Sequence, residues 1–546
     1  MLGVATVGTR RSLYDEEWNV MRLDQGLGFP LSGMLRSEAY SQPVSDVRLH
    51  ETHISRVFLA GDLAYKIKKP VRFEFLDYST IERRQACCER ELQVNRLFAP
   101  ELYLRVAPVH QDDHGWNMMG RGPIVDWAVV MRRFSQQEML REVLARGDVA
   151  PSDFVPLADY IATYHQRARR ASTDPAARPI DGRLDSTAPP VIHPNETGVE
   201  QCTRPALENV SQLRDDVAAT EDEPLLRDLM EATRLWAKRL APDFEQRIRA
   251  GAIRECHGDL HLDNLILHAG KFLAFDAIEF NEAFRWIDVG NELAFLVMDL
   301  DDRGHAPFAS RLLDRYLEQT GDYDMLRVLR FYQSYRALVR AKVRWLKTAQ
   351  QEATTQPRPL DDEARNYVRL AETYLRERRG ELVITTGLSG SGKSTEAAKW
   401  VEQAGFIRLR SDATRKRLLG FAPEDSTASL GDNARAYGAS VNRDTYDELL
   451  RLADIAIETG WSVIVDATFL RFEQRDTFRR WAAERGVDFG IVSCDAPLEE
   501  LRARIMSRRG DASEATLEVL DRQWETRQPL TDEERSLLRS APPPRR

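Results

Sequence analysis

The 546-residue sequence has no run of about 18 apolar residues, the length a helix needs to cross a bilayer, so no membrane span is expected. Its start, MLGVATVGTRRSLYDEEW, lacks a basic opening followed by an apolar core, and a secretory leader is not expected either. Cysteine is scarce. The five residues, at 87, 88, 202, 256 and 494, are odd in number and never take the CxxC spacing of zinc or redox motifs, a usage that fits a reducing cytosol. Excess positive charge is also missing: a formal charge of −9 disfavours a chain-wide nucleic-acid or anionic-membrane surface, although a local basic patch is invisible in that sum. What is present is 42% hydrophobic and 30% charged residues, the balance of globular cores under a charged surface. The length exceeds what one core usually organises, so two or more domains are expected.

Patterns along the chain divide it further. Residues 1–45 read as an N-terminal extension with an amphipathic helix in LSGMLRSEAY, residues 46–378 as one domain, and residues 379–546 as another. In THISRVFLAGDLAYKIKKPV two β-rich runs meet at Ala60-Gly61-Asp62, a hairpin signature. STIERRQACCERELQVNRLFAP follows with helical spacing, a Ser79 or Thr80 cap and Pro100 as its stop. Strands are expected at LYLRVAPV and WAVVMRRF, and helices over 206–250 and 290–350. The proline-rich stretch 171–205 has no apolar period and reads as a long loop, with a flap over a site as the sharper option. Beyond 379 strands and helices alternate, which predicts a parallel, doubly wound sheet with its site at the strand C-termini.

GLSGSGKS, residues 387–394, fits G-x-x-x-x-G-K-[ST] between the strand LVITT and a helix. In that setting Gly387, Ser389, Gly390, Ser391, Gly392 and Thr395 belong to a phosphate cradle. Lys393 reaches the terminal phosphates and Ser394 ligates Mg²⁺. Asp466 ends the strand SVIVD, from which a carboxylate reaches the Mg²⁺ shell; the plainer alternative is a strand-terminal cap. Asp412 and Arg415 in SDATRKR follow another strand, where an Asp can orient an acceptor hydroxyl and an Arg can grip an anion. Helix capping by Ser411 or Asp412 is the competing account. Arg504, Arg508 and Arg509 recur at helical spacing and either close over the transferred phosphoryl group or form a solvated face. In motif order this region resembles small P-loop kinases of the polynucleotide kinase, gluconate kinase and zeta-toxin type. The resemblance implies transfer of the ATP γ-phosphate to a hydroxyl.

HGDLHLDN, residues 257–264, offers two histidines four apart, but Gly258-Asp259 between them favours a turn and no HExxH glutamate is present, which disfavours zinc. A catalytic loop explains more. Asp259 orients or accepts the acceptor proton, Asn264 five residues on ligates Mg²⁺, and Asp276 in FLAFDAIEF stands where a second metal carboxylate falls. Upstream, Lys66 in LAYKIKKPV and Glu91 in CCERELQVN supply the phosphate-binding lysine and its helix partner; Lys68 and Glu89 compete for the same roles. Residues 47–350 resemble the aminoglycoside phosphotransferase family, which has the protein-kinase fold, although no G-x-G-x-x-G precedes Lys66. The two resemblances together imply a bifunctional, ATP- and Mg²⁺-dependent kinase. Its acceptor is expected to be a hydroxylated small molecule, sugar-like or aminoglycoside-like, with Glu279 and Glu282 as candidates for an acidic rim. The rivals are an ATP-binding regulatory protein with a scaffold-like N-terminal domain, and a polynucleotide 5′-hydroxyl kinase that uses RKR at 415–417 and the arginine helix, which the net acidity disfavours.

Overall fold

The Gly61-Asp62 turn, with Gly61 at φ 58°, closes a hairpin as the alternation on either side predicts. The computed structural model describes residues 30–42, 44–52, 54–73, 76–173, 190–192, 195–351, 357–425, 438–507 and 516–545. The hairpin strands β2 (Ser55–Ala60) and β3 (Leu63–Lys68) follow β1 (Val47–Glu51), and a small pair, β4 (Arg72–Phe73) and β5 (Leu76–Asp77), comes next. With β6 (Tyr103–Asp112), β7 (Gly115–Asn117) and β8 (Ile124–Arg132) they build a six-stranded antiparallel sheet in the order β1-β2-β3-β8-β6-β7. Helix α1 (Ile81–Asn95) packs on it, with the Thr80 hydroxyl accepting the Arg83 N–H. LSGMLRSEAY forms two short 3-10 helices, Leu31–Leu35 and Ser37–Ala39, rather than one amphipathic helix. Its buried Met34 and Tyr40 join the core of the sheet, and a Cβ on Gly33 would come within 2.6 Å of the Trp116 backbone.

A second, mainly helical lobe follows: α2 (Leu140–Arg146), α3 (Val155–Arg167), α4 (Glu196–Asp216), α5 (Glu223–Arg239), α6 (Ala241–Arg249), α7 (Val289–Asp302), α8 (Ala306–Thr320), α9 (Met325–Gln351) and α10 (Asp362–Leu375). Two antiparallel pairs, β9 (Ile253–Glu255) with β12 (Trp286–Asp288) and β10 (Leu265–His268) with β11 (Lys271–Ala274), frame the segment that contains HGDLHLDN. The expected loop 171–205 is shorter than its composition suggests. Asn195 caps α4, which runs through Pro205 because Val199, Ala206, Val210 and Leu213 bury one face. Residues 174–189 and 193–194, which belong to the stretch read as a loop with a flap as the sharper option, lie outside the described residues.

From Glu381 the chain alternates as its sequence predicts: β13 (Glu381–Thr386), α11 (Lys393–Ala404), β14 (Ile407–Arg410), α12 (Ser411–Leu418), α13 (Ala439–Glu458), β15 (Val463–Asp466), α14 (Phe472–Glu484), β16 (Asp488–Ser493), α15 (Leu498–Ser507), α16 (Leu517–Thr526) and α17 (Asp532–Ser536). The four strands are parallel in the order β14-β15-β13-β16. This part does not stand apart from the helical lobe. Leu312, Leu313 and Leu317 of α8 belong to the same buried apolar cluster as Ile407 and Leu409 of β14. Arg408 pairs with Asp314 at 2.7 Å and Arg410 with Glu318 at 2.9 Å across the junction. Arg330 of α9 donates to the carbonyls of Thr459 and Gly460, just past the C-terminus of α13.

Candidate active sites

Strand β3 turns Lys66 and Lys68 to the same side, two residues apart, and both converge on Glu91 of α1. Lys66 Nζ lies 2.8 Å from Glu91 Oε1, and Lys68 Nζ lies 2.7 Å from Oε2. Depth separates them. Lys68 is fully buried, also paired with Glu279 and 3.2 Å from the Tyr78 hydroxyl, whereas Lys66 lines the cleft and pairs with Asp276. Glu89 stays at the surface, bonded to Gln85. Burial alone would push the Lys66 ammonium down; Asp276 and Glu91 outweigh it and hold Lys66 well above the usual lysine range.

HGDLHLDN is a loop fastened from behind. Glu292 of α7 accepts the backbone N–H groups of His257 and Gly258, both at 2.7 Å, and Asp299 accepts that of Leu262 at 2.9 Å. Arg336 of α9 donates to the Gly258 carbonyl at 3.1 Å. His257 is buried, with Nε2 3.0 Å from the Phe275 carbonyl, so it braces the loop against the residue before Asp276. Gly258 takes φ 89°, and a Cβ there would meet the Phe284 carbonyl at 2.7 Å. Asn264 Nδ2 donates to Asp259 Oδ2 at 3.0 Å and to its carbonyl at 2.9 Å. His261 stands with Nε2 3.3 Å from the same carboxylate oxygen. Burial would raise the Asp259 carboxyl, but His261 outweighs it and holds it well below the carboxylate range. Reciprocally, Asp259 outweighs burial and raises His261.

Asp276 adopts φ 62°, a left-handed conformation that costs a non-glycine residue about 1–3 kcal/mol and is typical of functional sites. Its N–H donates to the Tyr103 hydroxyl at 3.0 Å and the next N–H to Asn95 Oδ1 at 2.8 Å, contacts that hold the turn. Lys66, Asp259 and Asp276 all line one cleft of about 1630 Å³ between the lobes. Arg132 at the end of β8 and the Arg133-Phe134 that follow form another wall with Val57, Ala64 and Met131. No local pattern marked these wall residues in advance. The acidic rim is corrected. Glu279 is buried against Lys68 and Tyr78, and Glu282 is buried beside Arg90, so neither carboxylate is open to an acceptor.

At the second site Gly387, Gly390 and Gly392 all take positive φ, and a Cβ on Gly387 would meet the Cys494 carbonyl at 2.1 Å. Lys393 Nζ folds over the loop to the Leu388 carbonyl at 2.7 Å, while the buried Ser391 hydroxyl has no hydrogen-bond partner among the described residues. This cradle of N–H groups, with an unanswered hydroxyl at the start of α11, which carries Ser394 and Thr395, fits a phosphate chain. Asp466 ends β15 beside β13, at the same edge of the sheet as the loop. Sequence reading missed Arg410, whose Nε lies 3.6 Å from Asp466, and Gln523 of α16, whose Oε1 accepts the Ser389 N–H at 2.9 Å. Asp412 and Arg415 pair at 2.7 Å, and α12 begins without a side-chain cap, so neither Ser411 nor Asp412 plays the capping role. Arg504 donates to the Gly390 carbonyl at 3.0 Å; Arg508 and Arg509 lie outside the described residues. The RKR segment is not a basic surface: Arg415 and Lys416 are buried, and Arg417 donates to the Glu318 carbonyl.

A two-lobed unit and a P-loop kinase unit thus share one chain, which is built as a kinase. A family model described as an AAA domain matches residues 382–530. A segment is 30% identical over 148 residues to adenylate kinase of Thermus thermophilus, covering 25% of this chain and 74% of that one. The structure is similar over 61% of its length to a thermostable mutant of aminoglycoside phosphotransferase APH(4)-Ia, at 13% identity and a TM-score of 0.37, covering 95% of that chain. A likeness that spans both units, 31% identity over 481 residues, 88% of this chain and 89% of the relative, is to the uncharacterised protein Rv2004c of Mycobacterium tuberculosis. This chain belongs to the same family as that mycobacterial protein.

Proposed function

We propose that the protein is an ATP- and Mg²⁺-dependent phosphotransferase whose first site phosphorylates a hydroxyl of a small molecule. The observation that carries this is that Lys66, Asp259 and Asp276, from separate segments, line one cleft, with Glu91 bonded to Lys66 and Asn264 to Asp259 behind them. With Mg·ATP bound, the transferred group is the γ-phosphoryl and the metal offsets its developing charge. Lys66, oriented by Glu91, grips phosphate oxygens. Asp276 and the Asn264 amide oxygen are hard oxygen donors suited to Mg²⁺. Asp259, fixed by Asn264 and His261, orients the acceptor hydroxyl. Because its carboxyl is held so low, it takes the proton only as the new oxygen–phosphorus bond makes that hydroxyl acidic. In the second site Lys393, Ser394 and Asp466 would hold Mg·ATP, with Asp412, Arg415 and Arg504 around the acceptor and the transferred group. With Glu279 and Glu282 buried, neither carboxylate supports an aminoglycoside-like cation; with Arg415 and Lys416 buried, a nucleic-acid 5′ end is supported by the arginine helix alone.

The test is ATP consumption over sugars, aminoglycosides, nucleosides and oligonucleotides with wild type, Asp259→Ala and Lys393→Ala. Acceptor-stimulated turnover lost in Asp259→Ala by at least about a hundredfold is expected for the first site. Turnover lost only in Lys393→Ala would place the chemistry in the second, and none in any sample would favour a regulatory protein.

A further inference from the structure

Past Asp259 the cleft continues into a groove between α4 and α9. On α9, Val339, Val343 and Leu346 recur at i, i+4 and i+7, so they share one side of the helix. Val343 is 54% exposed and Leu346 41%, and Phe284, on the loop before β12, adds a third open apolar side chain at 37%. Large apolar groups exposed singly are ordinary; gathered along one wall beside a reactive carboxylate, they mark a binding surface. The opposite wall, on α4, is polar, with Gln201, Arg204, Glu208 and Gln212. On that wall Arg204 lies 3.6 Å from Glu208, and from the α9 side Lys342 reaches across to bond Gln212. The groove is held in register with Asp259, because Arg336 on α9 bonds the carbonyl of Gly258.

We propose that the acceptor of the first site is an amphiphilic alcohol, with its reactive hydroxyl on an alkyl or aromatic body that lies along Val339, Val343, Leu346 and Phe284, and polar groups facing α4. This rests on the kinase reading of the Asp259 cleft and narrows it. A polyol or aminoglycoside would set hydroxyls and ammonium groups against side chains that offer no hydrogen bond, and such groups bury at a cost. An apolar body removes the same wall from water.

The test uses alcohols in pairs that differ only in their apolar part: methyl against hexyl and phenyl β-D-glucoside, and glycerol against 1-O-hexylglycerol. Turnover is counted as the part of ATP consumption lost in Asp259→Ala. The hexyl and phenyl members should show a KM at least about tenfold below their partners, since each buried methylene is worth roughly fourfold. Val343→Asp, and separately the milder Leu346→Ser, should raise that KM about tenfold while leaving the KM for ATP unchanged. Equal KM within each pair, or a preference that survives both substitutions, overturns the proposal and leaves the kinase reading standing. If no member of the panel supports turnover while ATP still binds, both readings fall.

Discussion

At the scale of single residues, His261 and Asp259 set each other's charge. The imidazole is held above its ordinary 6.5 by the carboxylate, and the carboxyl is held below its ordinary 3.8 by the imidazolium. For His261 the sign is fixed: stabilisation by the pair is full below 6.5 and is lost as pH rises through the raised folded value. For Asp259 it is present above 3.8 and lost as pH falls through the depressed value. His261→Asn should therefore be less stable than wild type at pH 5–6, with the gap closing toward pH 9. Urea midpoints across that range measure it, and a gap independent of pH removes the pair as its cause. Lys66 and Lys68 predict a second contrast. Lys68→Met strands Glu279 and half of Glu91 in a dry site, which should cost about 3–5 kcal/mol and show as a lower Tm. Lys66→Met leaves Glu91 paired with Lys68, so stability should change less while first-site turnover falls by about a hundredfold or more. The sequence could not choose between these lysines, because the two-residue period of a strand puts both on one face and says nothing of depth.

At the scale of elements, the loop 257–264 has its shape because α7 lies behind it. Glu292 and Asp299 are seven apart in VGNELAFLVMDLDD, two of its four acids set on one face among buried apolar residues, and that placement was the available signal. Glu292→Gln keeps the size but removes one acceptor from two buried N–H groups. A loss of about 1–3 kcal/mol is expected, along with a drop in acceptor-stimulated turnover that ATP binding does not share. Calorimetry with parallel nucleotide titration separates these effects, and unaltered turnover would sink the positioning role. The hairpin, α1 and the alternating second half were legible because each carries its own period and cap. The start of α4 was not: Pro205 and the polar run before it read as loop, and the helix forms there because four apolar side chains find the core.

At the scale of the whole molecule, the continuous apolar cluster through α8, α9 and the parallel sheet couples the two kinase units. A single calorimetric unfolding transition is expected rather than two. Asp314→Ala leaves Arg408 buried without its nearest carboxylate, and it should lower that one transition by about 3 kcal/mol of stability instead of splitting it. Two resolved transitions in wild type would refute the coupling. The junction also reaches the second site, since Arg410 bridges Glu318 of α8 and Asp466.

The sequence by itself determined where both candidate sites lie. GLSGSGKS and HGDLHLDN are local, and their glycines, acids and amides act through backbone conformations that neighbouring residues specify. The same holds for the strand and helix periods around them. Tertiary structure alone decided that Lys66 rather than Lys68 faces the cleft, that Glu279 and Glu282 are spent inside, and that RKR is buried. It also decided that Glu318 reaches Arg410 and that α9 turns an apolar wall toward Asp259. Each of these depends on burial and on distances between residues far apart in the chain, and no local period encodes them.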